Sequence, residues 1–234
     1  MARIYLENKA NQPNSNQVDF YTAQGTHVYF KDPVENKSID VERVVATVES
    51  MLPKHFTSEI EMIIVGWFKE FEERDINAFY KDGMLHVSNR QDDHEDMVDD
   101  IVHEIAHSVE EVYGYEIYGD SKIKDEFLLK RNRLHDELWS LGYKAPLSVF
   151  KETEYNQEFD EFLLDTVGYD KLNIICSGLF INSYAPTSLR EYFATGFTDF
   201  YMNSDDHHTL KSVSPALYNK LLKINLEENI DSIY

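Results

Sequence analysis

The chain has 234 residues with 43 acidic and 22 basic side chains, a formal net charge of −21, and such a surface repels phosphate backbones and anionic membranes. Nucleic acid and membrane are therefore excluded as expected partners, while a basic peptide or protein substrate would be favoured by steering, although an acidic excess also serves solubility alone. With 42% hydrophobic and 13% aromatic residues, a single globular domain over 1–234 is expected, and the lack of a leader-like start or an apolar run near the ~18 residues of a membrane span points to a cytoplasmic chain.

In chain order, 2–6 and 27–31 read as strands separated by the Asn/Gln/Pro-rich stretch Asn8 to Asn16. From Ser38 to Leu52 apolar residues recur at helical spacing until Pro53 stops them. Glu59 to Val65 reads as a strand, and Asp82-Gly83 between Ala78–Tyr80 and Met84–Val87 is a hairpin signal. Asp92 and Glu95 have capping-box spacing, and Met97, Ile101, Val102, Ile105, Ala106, Val109 and Val112 follow at a 3.6-residue period until Gly114, which predicts a long, central helix. Further helices are expected over about 122–141, 157–180 with a break near Gly168, 188–202 and 215–224. Strands first and helices afterwards is an α+β order, with a small mixed sheet and one helix in a strand-rich part (1–90) and a mainly helical part (91–234). The single Cys176, in an apolar run, excludes an intrachain disulfide and is expected as a buried, inert thiol.

The central helix carries His103-Glu104-Ile105-Ala106-His107. Four helical residues turn about 400°, which stacks the two imidazoles on one face as a clamp for a metal ion, while Glu104 stands about 100° around the helix, beside the clamp and free to act as general base. An HExxH sequence can arise by chance in a chain rich in His and Glu, but this one falls on an apolar helix directly after a strand, where metal binding is the favoured reading over a structural histidine pair. A catalytic zinc needs a third protein ligand. The extended HExxHxxGxxH form is excluded, because Glu110 and Tyr113 occupy its Gly and His positions. Glu191 is the favoured third ligand: Ala194, one turn on, is small enough to let its helix approach the clamp closely. The alternative is that Ser188-x-x-Glu191 forms a capping box and the carboxylate only satisfies a backbone amide. Glu126, Glu158 and Glu161 are reserve ligands, and 165–170 is a weaker one. Tyr184 can donate a hydrogen bond to an oxyanion, or can simply pack. The other histidines, His86, His94, His135, His207 and His208, have no ligand spacing to the clamp.

HExxH paired with a later Glu-x-x-Ala resembles the gluzincins, and a Tyr seven residues before that Glu resembles the anthrax lethal factor catalytic domain and its Pro-Pro endopeptidase relatives. The resemblance spans about Gly83 to Met202 and is carried by these two short motifs. It implies a zincin-like fold and a zinc-dependent endopeptidase that uses a metal-activated water, with His103, His107 and Glu191 as zinc ligands, Glu104 as base and Tyr184 assisting. Because 84 positions separate His107 from Glu191, it also implies inserted helices over about 121–180, a surface on which a specific protein partner could dock. The alternative function is a structural or interaction protein of zincin fold, such as a phage particle component with a virion location and a protein assembly partner.

Overall fold

The computed structural model describes residues 17–74 and 76–226. The strand expected at 2–6, the loop at 8–16 and the acidic ending lie outside the described residues. The described residues divide into two compact units, one within 17–49 and 58–101, the other within 50–57 and 102–226.

The first unit holds the sheet. Its strands are β1 (Phe20–Tyr21), β2 (His27–Phe30), β3 (Met62–Val65), β4 (Ala78–Lys81) and β5 (Met84–Val87), in the order β1-β2-β3-β5-β4. β2, β3 and β5 run parallel with Val28, Ile63 and Leu85 in register, and β1 and β4 close the two edges antiparallel. The three central strands bury residues of both faces, as parallel strands do when each face is covered. Asp82 and Gly83 take the positive φ angles of 50° and 77° that a two-residue hairpin turn requires. Helix α1 (Val41–Met51) buries Val41, Val44, Val45 and Val48, the i, i+3, i+4, i+7 stripe of an amphipathic helix. It starts three residues after Ser38 because Asp40 caps it, Oδ1 accepting from the Arg43 amide.

The long helix runs from His94 to Tyr118, with residues 94–101 in the first unit and 102–118 in the second. With α2 (Lys54–Thr57) and α3 (Lys69–Arg74) before it, it is α4. Its cap is Asp93, whose Oδ1 accepts from the amides of Glu95 and Asp96, rather than the expected Asp92. The apolar period holds through Val109, but Val112 is exposed, because Tyr113 (φ −104°, ψ 16°) is non-helical and kinks the chain there. The helix nevertheless continues past Gly114, held by fully buried Ile117 and by a hydrogen bond from the Tyr118 phenol to Glu110.

The second unit is helical. It contains α5 (Lys122–Ser140), α6 (Gln157–Glu161), a π-helical turn (Phe162–Val167), α7 (Tyr169–Cys176), α8 (Leu189–Met202), α9 (His208–Val213) and α10 (Pro215–Leu226). The expected break falls at Gly168, whose φ of 86° suits glycine. The stretch read as inserted supplies much of the core: α5 buries Ile123, Phe127, Leu134 and Leu138. From α5, Glu126 accepts from the Tyr192 hydroxyl (2.8 Å) and from the amides of Ala216 (2.8 Å) and Leu217 (3.2 Å), so one carboxylate ties α8 to the open amides at the start of α10. On α8, Gly196 faces Leu217 so closely that a Cβ would meet its Cδ2 at 2.2 Å and force that buried side chain to shift. Cys176 is buried as expected, and burial pushes its thiol up to about 12. The fold is α+β, and no helix among the described residues is long and apolar enough to cross a membrane.

Candidate metal centre

All the residues that follow lie in the helical unit. His103 and His107, one turn apart on α4, place their ring centroids 5.2 Å apart with the planes at 82°. Glu191 enters from the first turn of α8. The Ser188 hydroxyl caps the helix by accepting from the Glu191 amide at 3.1 Å, as the capping box requires. The Glu191 carboxylate, however, is turned to the histidines: Oε2 lies 3.0 Å from His103 Nε2 and Oε1 3.6 Å from His107 Nε2. One ligand atom from each residue falls within 4.8 Å of the others, so these three side chains could hold a metal ion. They are 21, 13 and 16% exposed, which leaves a way in from solvent.

Burial works against ionisation of Glu191, but the hydrogen bond from His103 and the positive charge of His107, His103 and Arg190 outweigh it and hold the carboxyl below its ordinary range. The group is therefore ionised at neutral pH.

The loop before α8 is fixed from α5. Fully buried Arg131 donates to the carbonyls of Pro186 (2.6 Å) and Thr187 (3.3 Å) and to that of Val149, and its guanidinium lies 4.0 Å from the centroid of the Phe159 ring. In the same loop, the Tyr184 carbonyl accepts from the amide and hydroxyl of Thr187, and the Asn182 side chain accepts from the amides of Tyr184 and Ala185. Burial raises the Tyr184 phenol, and the charges of Glu191 and Asp160 raise it further, so it stays an O–H donor near the carboxylate that faces the clamp. Glu104 follows His103 on α4 and is partly buried.

No family model, curated protein or solved structure matches the chain.

The reserve ligands are engaged or located elsewhere. Glu126 is committed to α8 and α10, Glu161 accepts from Gln157, and Glu158, Asp165 and Asp170 are exposed. Among the remaining histidines, His135 pairs with Asp136 and His207 stacks on Phe200.

Sequence reasoning missed a second carboxylate. Glu110, only 8% exposed, accepts on Oε2 from His107 Nδ1 at 3.0 Å and from Arg190 Nε at 3.2 Å, and on Oε1 from the Tyr118 hydroxyl. The signal was present as His107-x-x-Glu110, an i,i+3 pair on one helix face. Tyr118 was hidden behind Gly114, where the pattern predicted the helix to end.

Proposed function

We propose that the chain is a zinc-dependent endopeptidase of zincin-like fold, resembling the gluzincins and, among them, the lethal factor and Pro-Pro endopeptidase group. The observation that carries the reading is the convergence of the Glu191 carboxylate, 84 positions downstream, on the Nε2 atoms of both histidines of the HExxH helix. Two imidazole nitrogens and one carboxylate are the donors of a catalytic zinc site that keeps its fourth position open, whereas calcium and magnesium are held by oxygen donors. When bound, zinc would act as a Lewis acid on the substrate carbonyl and lower the pKa of water in the site.

The chain's own residues supply the rest. Glu104 accepts a proton from the attacking water as its oxygen adds to the peptide carbonyl carbon, and returns that proton to the amine nitrogen when the C–N bond breaks. Tyr184, kept protonated by burial, donates to the oxyanion that the addition creates. The products are two shorter peptides. The charge of −21 favours approach of basic segments, and chain 121–180 offers a surface for a protein partner.

Glu104→Gln tests the reading. The variant is expected to keep its zinc while cleavage of an unstructured peptide library falls by about 10²–10⁴-fold. Undiminished turnover in this variant would overturn the mechanism.

A further inference from the structure

The two clamp histidines are held differently. His103 Nε2 is within hydrogen-bond distance of Glu191 Oε2, at 3.0 Å. For His107 the hydrogen bond is on the opposite nitrogen: Nδ1 meets Glu110 Oε2 at 3.0 Å, and Nε2 lies 3.6 Å from Glu191 Oε1, beyond hydrogen-bond length. Glu110 Oε2 already accepts from Arg190, so His107 donates to it through Nδ1, and Nε2 is the nitrogen left to meet an ion.

Glu110 is itself immobilised. Arg190 and Tyr118 donate to it along with His107, and its side chain is 6% exposed. Three donors on two oxygens leave it no reason to swing round and ligate in place of Glu191. Its Oε2 is shared by His107, a ligand residue of α4, and Arg190, the neighbour of Glu191 on α8. A single oxygen thus couples the two helices that must keep their ligands in register.

We infer that Glu110 is a positioning residue for the metal centre: with Tyr118 and Arg190 it fixes His107 as the Nδ1–H tautomer, presents Nε2 to the ion and locks the clamp helix to the helix of the third ligand. The inference rests on the metal-site reading above and goes beyond it, because Glu110 does not ligate and does not touch the reacting atoms. Partners of this kind on the far side of a ligating imidazole set metal affinity by about 10–100-fold.

The test is zinc affinity by chelator competition, together with long-range 1H–15N spectra of the imidazoles in the metal-free protein, for the wild type, Glu110→Gln and Glu110→Ala. The wild type is expected to show His107 as Nδ1–H. Glutamine keeps an acceptor oxygen but no charge, so it should retain that tautomer and weaken zinc binding about tenfold. Alanine should lose the fixed tautomer and weaken binding about 100-fold. If alanine prevents folding, the glutamine variant carries the test. Zinc affinity within threefold of wild type in every variant that folds, with an unchanged His107 spectrum, would overturn the inference. A wild-type chain that takes up no zinc would overturn the metal-site reading and this inference with it, whereas a wild type that binds zinc with an affinity indifferent to Glu110 would overturn this inference alone.

Discussion

The two units bury different things. The sheet unit fills its interior with apolar side chains and a few neutral polar ones such as Ser88, Asn89 and Gln91. Its buried histidine, His86, stacks on Phe79 with ring centroids 4.3 Å apart and meets Phe68 edge-on, and burial lowers its pKa despite nearby acceptors. The helical unit buries formal charges: Glu110, Lys130, Arg131 and Lys220 are each less than 9% exposed. Its clamp histidines each meet a carboxylate. An imidazole is therefore packing material at His86 and a candidate ligand at His103 and His107, and the difference lies in what surrounds it. Buried charge costs stability unless each group is bonded, and these are: Glu110 accepts from Tyr118 and Arg190, Lys130 bonds Ser214, Arg131 donates to the Pro186 and Thr187 carbonyls, and Lys220 donates to the Glu116 carbonyl.

The sharpest way to break this contrast is to exchange histidines. His103→Ala should abolish stoichiometric zinc binding, and His86→Phe should leave it unchanged, as measured by metal analysis after dialysis. Equal loss in both would end the distinction.

A smaller effect is expected at Arg131. Arg131→Met keeps apolar volume against Phe127, Phe150 and Phe159 but leaves the carbonyls of Pro186 and Thr187 without their donor. Denaturant unfolding should show a loss of about 2–4 kcal/mol. Zinc binding should weaken as well, because those carbonyls precede the Ser188 cap of the helix that bears Glu191.

The smallest effect concerns Lys130, whose ammonium bonds Ser214 Oγ at 2.7 Å beside the rings of Phe180 and Tyr192. Burial lowers it from 10.5 to about 8, Arg133 adding to the shift and Glu126 opposing it. A folded-state pKa below the unfolded one means that the unfolded chain binds more protons between these values, so this group's contribution to stability rises with pH above about 8. Relative to Lys130→Met, the wild type should gain about 2 kcal/mol between pH 7 and pH 10. Above that, the tyrosines Tyr118, Tyr184, Tyr192 and Tyr201 act in the opposite sense, because burial raises their pKa values and the unfolded chain ionises first. A flat difference across this range would show that Lys130 is not buried as a charge.

Much of this was legible in the sequence where the signal is local. Periodicity located α1, α4, α5 and α8, and Asp82-Gly83 located the hairpin, because apolar spacing and positive-φ turns are properties of a few neighbouring residues. The clamp was legible for the same reason, since i and i+4 share a helix face. Glu191 was harder. A capping box and a ligand look alike in sequence, and here the hydroxyl of Ser188 caps while the carboxylate faces the histidines instead of a backbone amide. Arg131 could not be read at all, because its partners are backbone carbonyls 55 and 56 positions away, and carbonyls carry no sequence signature. The role of α5 was obscured likewise: a stretch that looked like an insertion holds the loop before α8 in place through that one guanidinium.

The central claim is that His103, His107 and Glu191 bind one ion together. Its most direct test is the zinc content of the purified wild-type chain and of Glu191→Ala after equilibration with a slight excess of zinc and removal of the unbound metal. One zinc per wild-type chain and a much depleted variant is the predicted result. A wild type without zinc, or a variant that retains it as tightly as the wild type, would contradict the claim.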